Sequence, residues 1–465
     1  MHDVQPFDVF QASRWARASW EVWLGGWADA SALEQQVSRR LDALVRFARC
    51  ASPLYRELYA ALAPQPTPAL IDLPVVNKAL LMQRFDEAVT DPRLHHTELT
   101  AFCHATEQVG QAYLGRYAVW TSSGTSGEPG CFVHDRDALA VYEALELLRF
   151  HGLSSPLDWT TPLFGGERYA MVAATGGHFA GIATVERLRR SYPWLAPQLR
   201  SFSLLQPLPA LLRELQDYQP TLLATYPTAA EMLAAAQEAG HLHLPLRELW
   251  TGGECLPAGV RARLTRAFGC RVRNSYGASE FLSIAADCER GTLHANTDWV
   301  CLEPVDAHHR PVPPGSASHS VLLTNLANRV QPLIRYDLGD SVTLHSAPCA
   351  CGSALPALTV EGRHDDVLSL GRAPGVTLLP LVATTVLEEQ AGVHDFQLVQ
   401  TGRSALRLSL GRADSRRAAR ARAALAAYLR TQGAAQVRIE LADASPARSR
   451  GSGKLRRVVA AWKAG

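Results

Sequence analysis

Apolar positions early in the chain recur at helical spacing. Between residues 30 and 50, Leu33, Val37, Leu41, Leu44, Val45 and Ala48 fall on one stripe, which predicts an amphipathic helix covering one side of a core. Trp15, Trp20, Trp23 and Trp27 precede it. Tryptophans at such spacing usually pack, so a core role is expected over a partner or membrane surface. The Pro-rich stretch 61–74 reads as a connecting loop. From about residue 115 to 345 the pattern changes to short β-like runs, RYAMVAAT, PTLLATY, RELWTGG and CRVRNSYG, alternating with helical segments such as 228–238. That alternation predicts an α/β sheet with ligand sites in the loops at strand ends. After residue 363 the runs DFQLVQ and ALRLSL suggest a hairpin, residues 413–431 an Arg/Ala helix and QVRIEL a further strand. The expected fold class is therefore α/β: a large multi-sheet N-terminal domain, residues 1–363, and a small α+β C-terminal domain, residues 364–465.

A chain of 465 residues with 47% hydrophobic side chains exceeds what one core usually serves, which agrees with two domains. The net charge of only +2 gives no electrostatic case for a nucleic-acid or anionic-membrane partner and favours small-molecule chemistry. The N-terminus is interrupted by charge where a signal peptide would be apolar, and no run approaches membrane-spanning length, so a cytoplasmic location is expected. The 9 cysteines are too sparse, and odd in number, for a disulfide framework and read as reduced thiols or metal ligands. Cys288 and His294, with Cys349 and Cys351, would make a closed structural Zn²⁺ set of three thiolates and an imidazole; unrelated buried thiols are the alternative. Of the 46 basic side chains only Lys78, Lys454 and Lys463 are lysines. A surviving lysine marks a place where a compact ammonium serves better than a planar guanidinium, although Lys463 reads as a chance survivor in the tail.

The richest segment is TSSGTSGEPG at 121–130, where Thr121, Ser122, Ser123, Gly124, Thr125, Ser126 and Gly127 follow the apolar run YAVW. Glycines let backbone N–H groups converge on an anion, and the hydroxyls add uncharged donors, so this is a candidate phosphate cradle. The lysine and spacing of a P-loop are absent.

With NSYGASE at 274–280, IRYDLGD at 334–340, EGRHDD at 361–366 and SRGSGKLRR at 449–457, that segment completes five motifs in a fixed order. In this the chain resembles the adenylate-forming acyl-CoA synthetase superfamily, and within it the phenylacetate-CoA ligase-like branch. The resemblance implies ATP-dependent activation of a small-molecule carboxylic acid, an aromatic one, as its acyl-AMP. It implies that the 121–130 loop holds the β- and γ-phosphates and that Glu280 helps hold Mg²⁺. Tyr276 and Gly277 would lie beside the nucleotide, Asp340 would accept from the ribose hydroxyls, and Arg363 would sit next to the ribose. Asp365 would be the hinge of a mobile C-terminal lid, and Lys454 the catalytic ammonium that meets the carboxylate and the bridging oxygen of ATP.

Phe164, Tyr226 and Gly252 are candidates for the acyl pocket, with core packing as the alternative for each. Coenzyme A is the expected acceptor of the acyl group. The run VLSLGRAPGVTLLP after the hinge departs from the family's glycine-rich form, which leaves open an aryl adenylase serving an acyl carrier protein, an amine or an unusual nucleophile in a biosynthetic pathway. A nucleotide-binding regulatory protein without catalysis is the rival from another class. The presence of Lys454, Glu280 and Asp340 together argues against it.

Overall fold

The computed structural model describes residues 9–63, 67–122, 130–150, 167–175, 177–361, 367–371, 376–411, 414–442, 444–447 and 456–462. Its first long elements are the helices Val9–Trp27 and Ala30–Ala51. Asp29 starts the second by accepting from the Ala32 N–H at 2.8 Å, an N-cap that satisfies an otherwise orphaned donor. Its stripe is laid down as the periodicity predicts: Leu33, Leu44, Val45 and Ala48 are buried, with Val37 and Leu41 packed alongside. Two of the four tryptophans differ from expectation. The first helix turns Ala18 and Val22, one turn apart, toward the core. Trp20 and Trp27 consequently point off that face and are 54% and 75% exposed, while Trp23 packs between them. The loop over 61–74 contains a short 3₁₀ turn, Leu70–Asp72.

A hairpin of β1 (Ala118–Ser122) and β2 (Gly130–His134) brackets the candidate phosphate loop. Among the described residues the main sheet has nine strands: β3 (Tyr169–Ala173), β4 (Leu199–Ser203), β5 (Leu222–Thr225), β6 (Glu248–Thr251), β7 (Arg271–Ala278), β8 (Phe281–Asp287), β9 (Leu293–Ala295), β13 (Val342–Leu344) and β14 (Ala357–Val360). Strands β4-β3-β5-β6-β7 are parallel, and helices such as Pro227–Glu238 make the crossovers. β7 then changes partner: Arg271–Asn274 pair with β6, whereas Ser275–Ala278 pair antiparallel with β8. β10 (Val300–Val305), β11 (Ser320–Asn325) and β12 (Tyr336–Asp337) form a separate antiparallel sheet. β13 (Val342–Leu344) and β14 (Ala357–Val360) extend the main sheet beyond β9.

The C-terminal elements are β15 (Leu368–Leu370), β16 (Val376–Leu378), the hairpin β17 (Phe396–Gly402) and β18 (Ala405–Leu410), the helix Ser415–Thr431, β19 (Arg438–Ala442) and β20 (Val458–Ala460). Their four-stranded sheet runs β19-β18-β17-β20. β20 pairs in parallel with β17. Two hydrophobic clusters organise the whole. One unites the N-terminal helices with β1, β2 and the β7–β12 region; the other joins the layer around β3–β6 to Leu368, Leu378, Val382 and Leu425 of the C-terminal elements. Among the described residues no helix is long and apolar enough to cross a membrane.

Candidate active site

Three segments distant in sequence meet at the mouth of the β1–β2 hairpin. Thr121 and Ser122 end β1; Ser123, Gly124, Thr125, Ser126 and Gly127 lie outside the described residues. The Thr121 N–H donates to the His178 carbonyl at 2.9 Å, and the Thr121 carbonyl accepts from Ser279 Oγ, also at 2.9 Å. The Ser279 carbonyl in turn accepts from His134 Nε2 at 2.9 Å. The YGASE turn is thus tied to both strands of the hairpin. Gly277 allows that turn: a Cβ there would lie 1.9 Å from the Leu282 carbonyl oxygen, which no side chain tolerates.

Glu280 sits at the centre. It is buried, and its Oε1 accepts from the Tyr336 hydroxyl at 2.9 Å. Burial raises its carboxyl above the usual range, opposed by the Tyr336 hydrogen bond and the nearby Lys78 ammonium. Tyr276 donates its hydroxyl to Asp340 Oδ2 at 2.9 Å, so the two nucleotide candidates of separate motifs are adjacent. Lys78 is the residue that motif reading missed. Val76 bridges in parallel to Tyr336, with hydrogen bonds of 3.1 Å to Arg335 and 2.9 Å from Asp337. That bridge delivers Lys78, two residues on, to the loop: its Nζ is 3.4 Å from Ser122 Oγ, and its stem lies so close to Gly130 that a Cβ there would be 3.0 Å from Lys78 Cδ. The signal was present in the scarcity of lysine.

Tyr226 and Gly252 lie where the parallel strands β5 and β6 end, the place an open α/β sheet offers a ligand. Gly253 adopts φ +76°, and a Cβ on it would be 3.2 Å from the Tyr226 ring; one on Gly252 would be 2.9 Å from Ser275 Oγ. The flat ring therefore rests against the Gly253 backbone, and Gly252 leaves room for the Ser275 hydroxyl. Glu254 accepts from the Thr228 N–H and hydroxyl, both at 3.0 Å, and fixes the turn beside it. Phe164, Arg363, Asp365 and Lys454 lie outside the described residues.

The four metal candidates come together at a different place. Their donor atoms all lie within 4.8 Å of one another, with Cys288 Sγ 3.9 Å from Cys349 Sγ and Cys351 Sγ 3.4 Å from His294 Nε2. His294 Nδ1 faces the Leu355 carbonyl at 2.8 Å, which fixes the tautomer that turns Nε2 toward the thiols. The Cys349 thiol is pulled down to about 6, first by the Cys351 backbone N–H and then by His294. Sulfurs bound tetrahedrally to one zinc sit just under 4 Å apart, roughly the spacing found here. The cluster is at the far end of β8 from Glu280, on the order of 25 Å along the strand.

The AMP-binding enzyme family model matches residues 199–317, which include Tyr226, Gly252, Tyr276 and Glu280. Protein CapK of Staphylococcus aureus is 24% identical over 193 residues, 41% of this chain and 41% of that protein, so the match spans less than half of its length. Among solved structures, a 2-hydroxyisobutyryl-CoA ligase with 2-HIB-AMP and CoA in its thioesterification state is 21% identical, covering 93% of this chain and 90% of that one at a TM-score of 0.59. The same ligase in an open conformation with 2-HIB-AMP and CoA gives 22%, 91%, 90% and 0.53 for the same four measures. Residues 199–317 thus match the AMP-binding enzyme family, and over nine-tenths of its length the chain shares the fold of the 2-hydroxyisobutyryl-CoA ligase.

Proposed function

We propose that the chain activates a carboxylic acid with ATP as its acyl-AMP and transfers the acyl group to a thiol, coenzyme A, as a phenylacetate-CoA ligase-like enzyme. The observation that carries this is the convergence of Glu280, Lys78, Ser122 and the Tyr276–Asp340 pair on the hairpin mouth. In the first half-reaction a carboxylate oxygen attacks the α-phosphorus, the bond to the bridging oxygen breaks and pyrophosphate leaves. Negative charge crowds the site throughout, so catalysis is mostly positioning and charge compensation.

Each residue supplies part of that. The 121–127 loop and the Lys78 ammonium hold the β- and γ-phosphates; Asp340, steadied by Tyr276, accepts from the ribose. Glu280 would hold Mg²⁺, which supplies charge neutralisation on phosphate oxygens, and Gly277 lets the adjoining turn approach the nucleotide. Lys454 bridges carboxylate and ATP, Arg363 lies by the ribose, and Asp365 is the hinge between a domain of residues 1–363 and one of 364–465. The acid is aromatic in this reading, with Tyr226, whose ring lies against the Gly253 backbone, and Gly252 beside Ser275 at the ends of β5 and β6, and with Phe164 as a further wall. Cys288, His294, Cys349 and Cys351 would hold a structural Zn²⁺, since four protein donors leave no open position for a substrate.

ATP–pyrophosphate exchange across phenylacetates, benzoates, cinnamates, aminobenzoates and fatty acids tests the proposal without presupposing an acceptor. Exchange with an aromatic class supports it. Exchange confined to fatty acids removes the aromatic assignment, and no exchange with any acid despite ATP binding refutes the activity. Transfer to CoA, measured against a carrier-protein thiol and an amine, then decides the acceptor.

A further inference from the structure

Glu388 and Glu389 are neighbours in the π-helical turn Val386–Gln390, the first buried and the second exposed. Glu388 is buried among the C-terminal elements. Its Oε1 accepts from Arg457 Nη1 at 2.7 Å and lies 3.7 Å from His394 Nδ1, while Arg457 Nη2 donates to the His394 carbonyl at 2.8 Å. That charge is satisfied internally. Glu389 crosses to the main sheet instead: a Cβ on Gly177 would lie 2.8 Å from Glu389 Oε1 and 3.3 Å from Oε2, so the carboxylate occupies the room that the glycine leaves.

The place it reaches matters. Ala174 follows the carboxyl end of β3, and Gly177 and His178 precede the helix Ala180–Ser191. At one end the Ala174 backbone meets the Tyr226 hydroxyl, on the acyl side; at the other the His178 carbonyl accepts from Thr121 at 2.9 Å, on the phosphate side. The mixed anhydride of an acyl-AMP would have its reacting carbonyl between those two.

Building on the activation-and-transfer reading above, we propose that Glu389 is the general base of the transfer step. Its carboxylate takes the proton of the acceptor thiol as sulfur attacks the acyl carbonyl. The carbon–sulfur bond forms, the carbon–oxygen bond to the phosphate breaks, and AMP departs with that electron pair. The proton passes from Glu389 to solvent as the product leaves. Glu389 is exposed as a residue, with its carboxylate turned to the Gly177 backbone; partial loss of hydration there and then the adjacent Glu388 raise the carboxyl, with His394 opposing, the direction that suits a base. The other titratable groups nearby are Arg457, paired with Glu388, and His178 beside Gly177, which burial keeps neutral and whose Nε2 lies 3.3 Å from the Ala105 carbonyl.

The test separates the half-reactions in Glu389→Gln, with single-turnover transfer from preformed acyl-AMP to CoA followed between pH 5.5 and 8.5. Transfer should slow about 100-fold or more, and the acidic limb near pH 7 should vanish, while ATP–pyrophosphate exchange stays within about twofold. Gly177→Ala, which forces the carboxylate aside, should slow transfer in the same way. Normal transfer with an unchanged acidic limb overturns the role of Glu389 alone. Equal loss of exchange and transfer reduces it to a structural residue. Absence of exchange in the unmodified protein overturns the activation reading and this proposal with it.

Discussion

His134 should make the protein acid-sensitive in a calculable way. The ring is wholly buried against Trp120, with centroids 4.1 Å apart. Its hydrogen bonds define one neutral tautomer. Nε2–H donates to the Ser279 carbonyl, while Nδ1 lies 3.2 Å from the Tyr142 hydroxyl, which itself accepts from Asn325 Nδ2 at 2.8 Å and so has its proton to give. A second proton on Nδ1 would face that donor with no room for water. Burial accordingly holds the ring down to about 3, against an ordinary 6.5. The unfolded chain therefore takes up a proton that the folded chain refuses between these values, and stability contributed here is full above pH 6.5 and falls as pH drops. At pH 5 the loss is about 2 kcal/mol from this group. It should appear in urea titrations at pH 7 and 5 as a decrease that His134→Gln, less stable at pH 7, does not share. NMR of labelled histidine should find the ring neutral at pH 5. A ring that titrates near 6.5, or an identical pH slope in the variant, refutes the reasoning.

Lys78→Ala should lower kcat/KM for adenylation roughly 100-fold, the scale of one lost charge-stabilising donor, with little change in melting temperature, and Lys78→Arg should recover only part; unchanged exchange kinetics would remove Lys78 from the site. Lys454→Ala should largely abolish exchange while leaving thermal stability nearly unchanged, and full activity would refute its role. Cys351→Ser should reduce bound zinc below one equivalent by elemental analysis and lower the melting temperature by several degrees, yet leave the KM for ATP of the folded fraction nearly unaltered, since the cluster lies at the far end of β8. Zinc absent from the unmodified protein would remove the four-ligand assignment.

The parallel strands were legible because a strand buried on both faces reads as a short apolar run, and RYAMVAAT, PTLLATY and RELWTGG became β3, β5 and β6. The hairpin β17–β18 was legible by alternation, and the helix Ser415–Thr431 by composition and length. Tryptophan placement was not, because a stripe of large apolar residues fixes which ones share a face and not which face the neighbours cover. The four metal candidates could be grouped by chemistry, but their meeting point depends on the pairing of β14 with β9, which no local pattern encodes. The same holds for Lys78. Its approach to Ser122 depends on the bridge from Val76 to Tyr336, a contact between segments more than 250 residues apart.

The division of labour between the two kinds of cation explains why lysine scarcity carried information. Among the described residues, buried carboxylates that hold the architecture are met by arginine: Asp298 by Arg149 at 2.7 Å, Asp287 by Arg273 at 2.8 Å and by Arg261 at 2.7 Å, and Glu388 by Arg457 at 2.7 Å. A guanidinium suits that work because its planar fork satisfies a carboxylate and a nearby carbonyl together, as Arg273 does with both the Asp287 carboxylate and the Asp287 backbone at 2.8 Å. Such a pair holds its carboxylate in one place. A phosphate-binding group must stay responsive to a ligand that arrives, changes charge and leaves, and a single compact ammonium on a long stem does so at smaller reorganisation. Lys78 reaches Ser122 at 3.4 Å and its charge also acts on Glu280, whose carboxylate accepts from the Tyr336 hydroxyl at 2.9 Å, so one ammonium stands beside both the candidate phosphate loop and the candidate Mg²⁺ ligand. In a chain that has placed arginine almost everywhere else, a lysine beside both groups is the arrangement expected at a phosphate site.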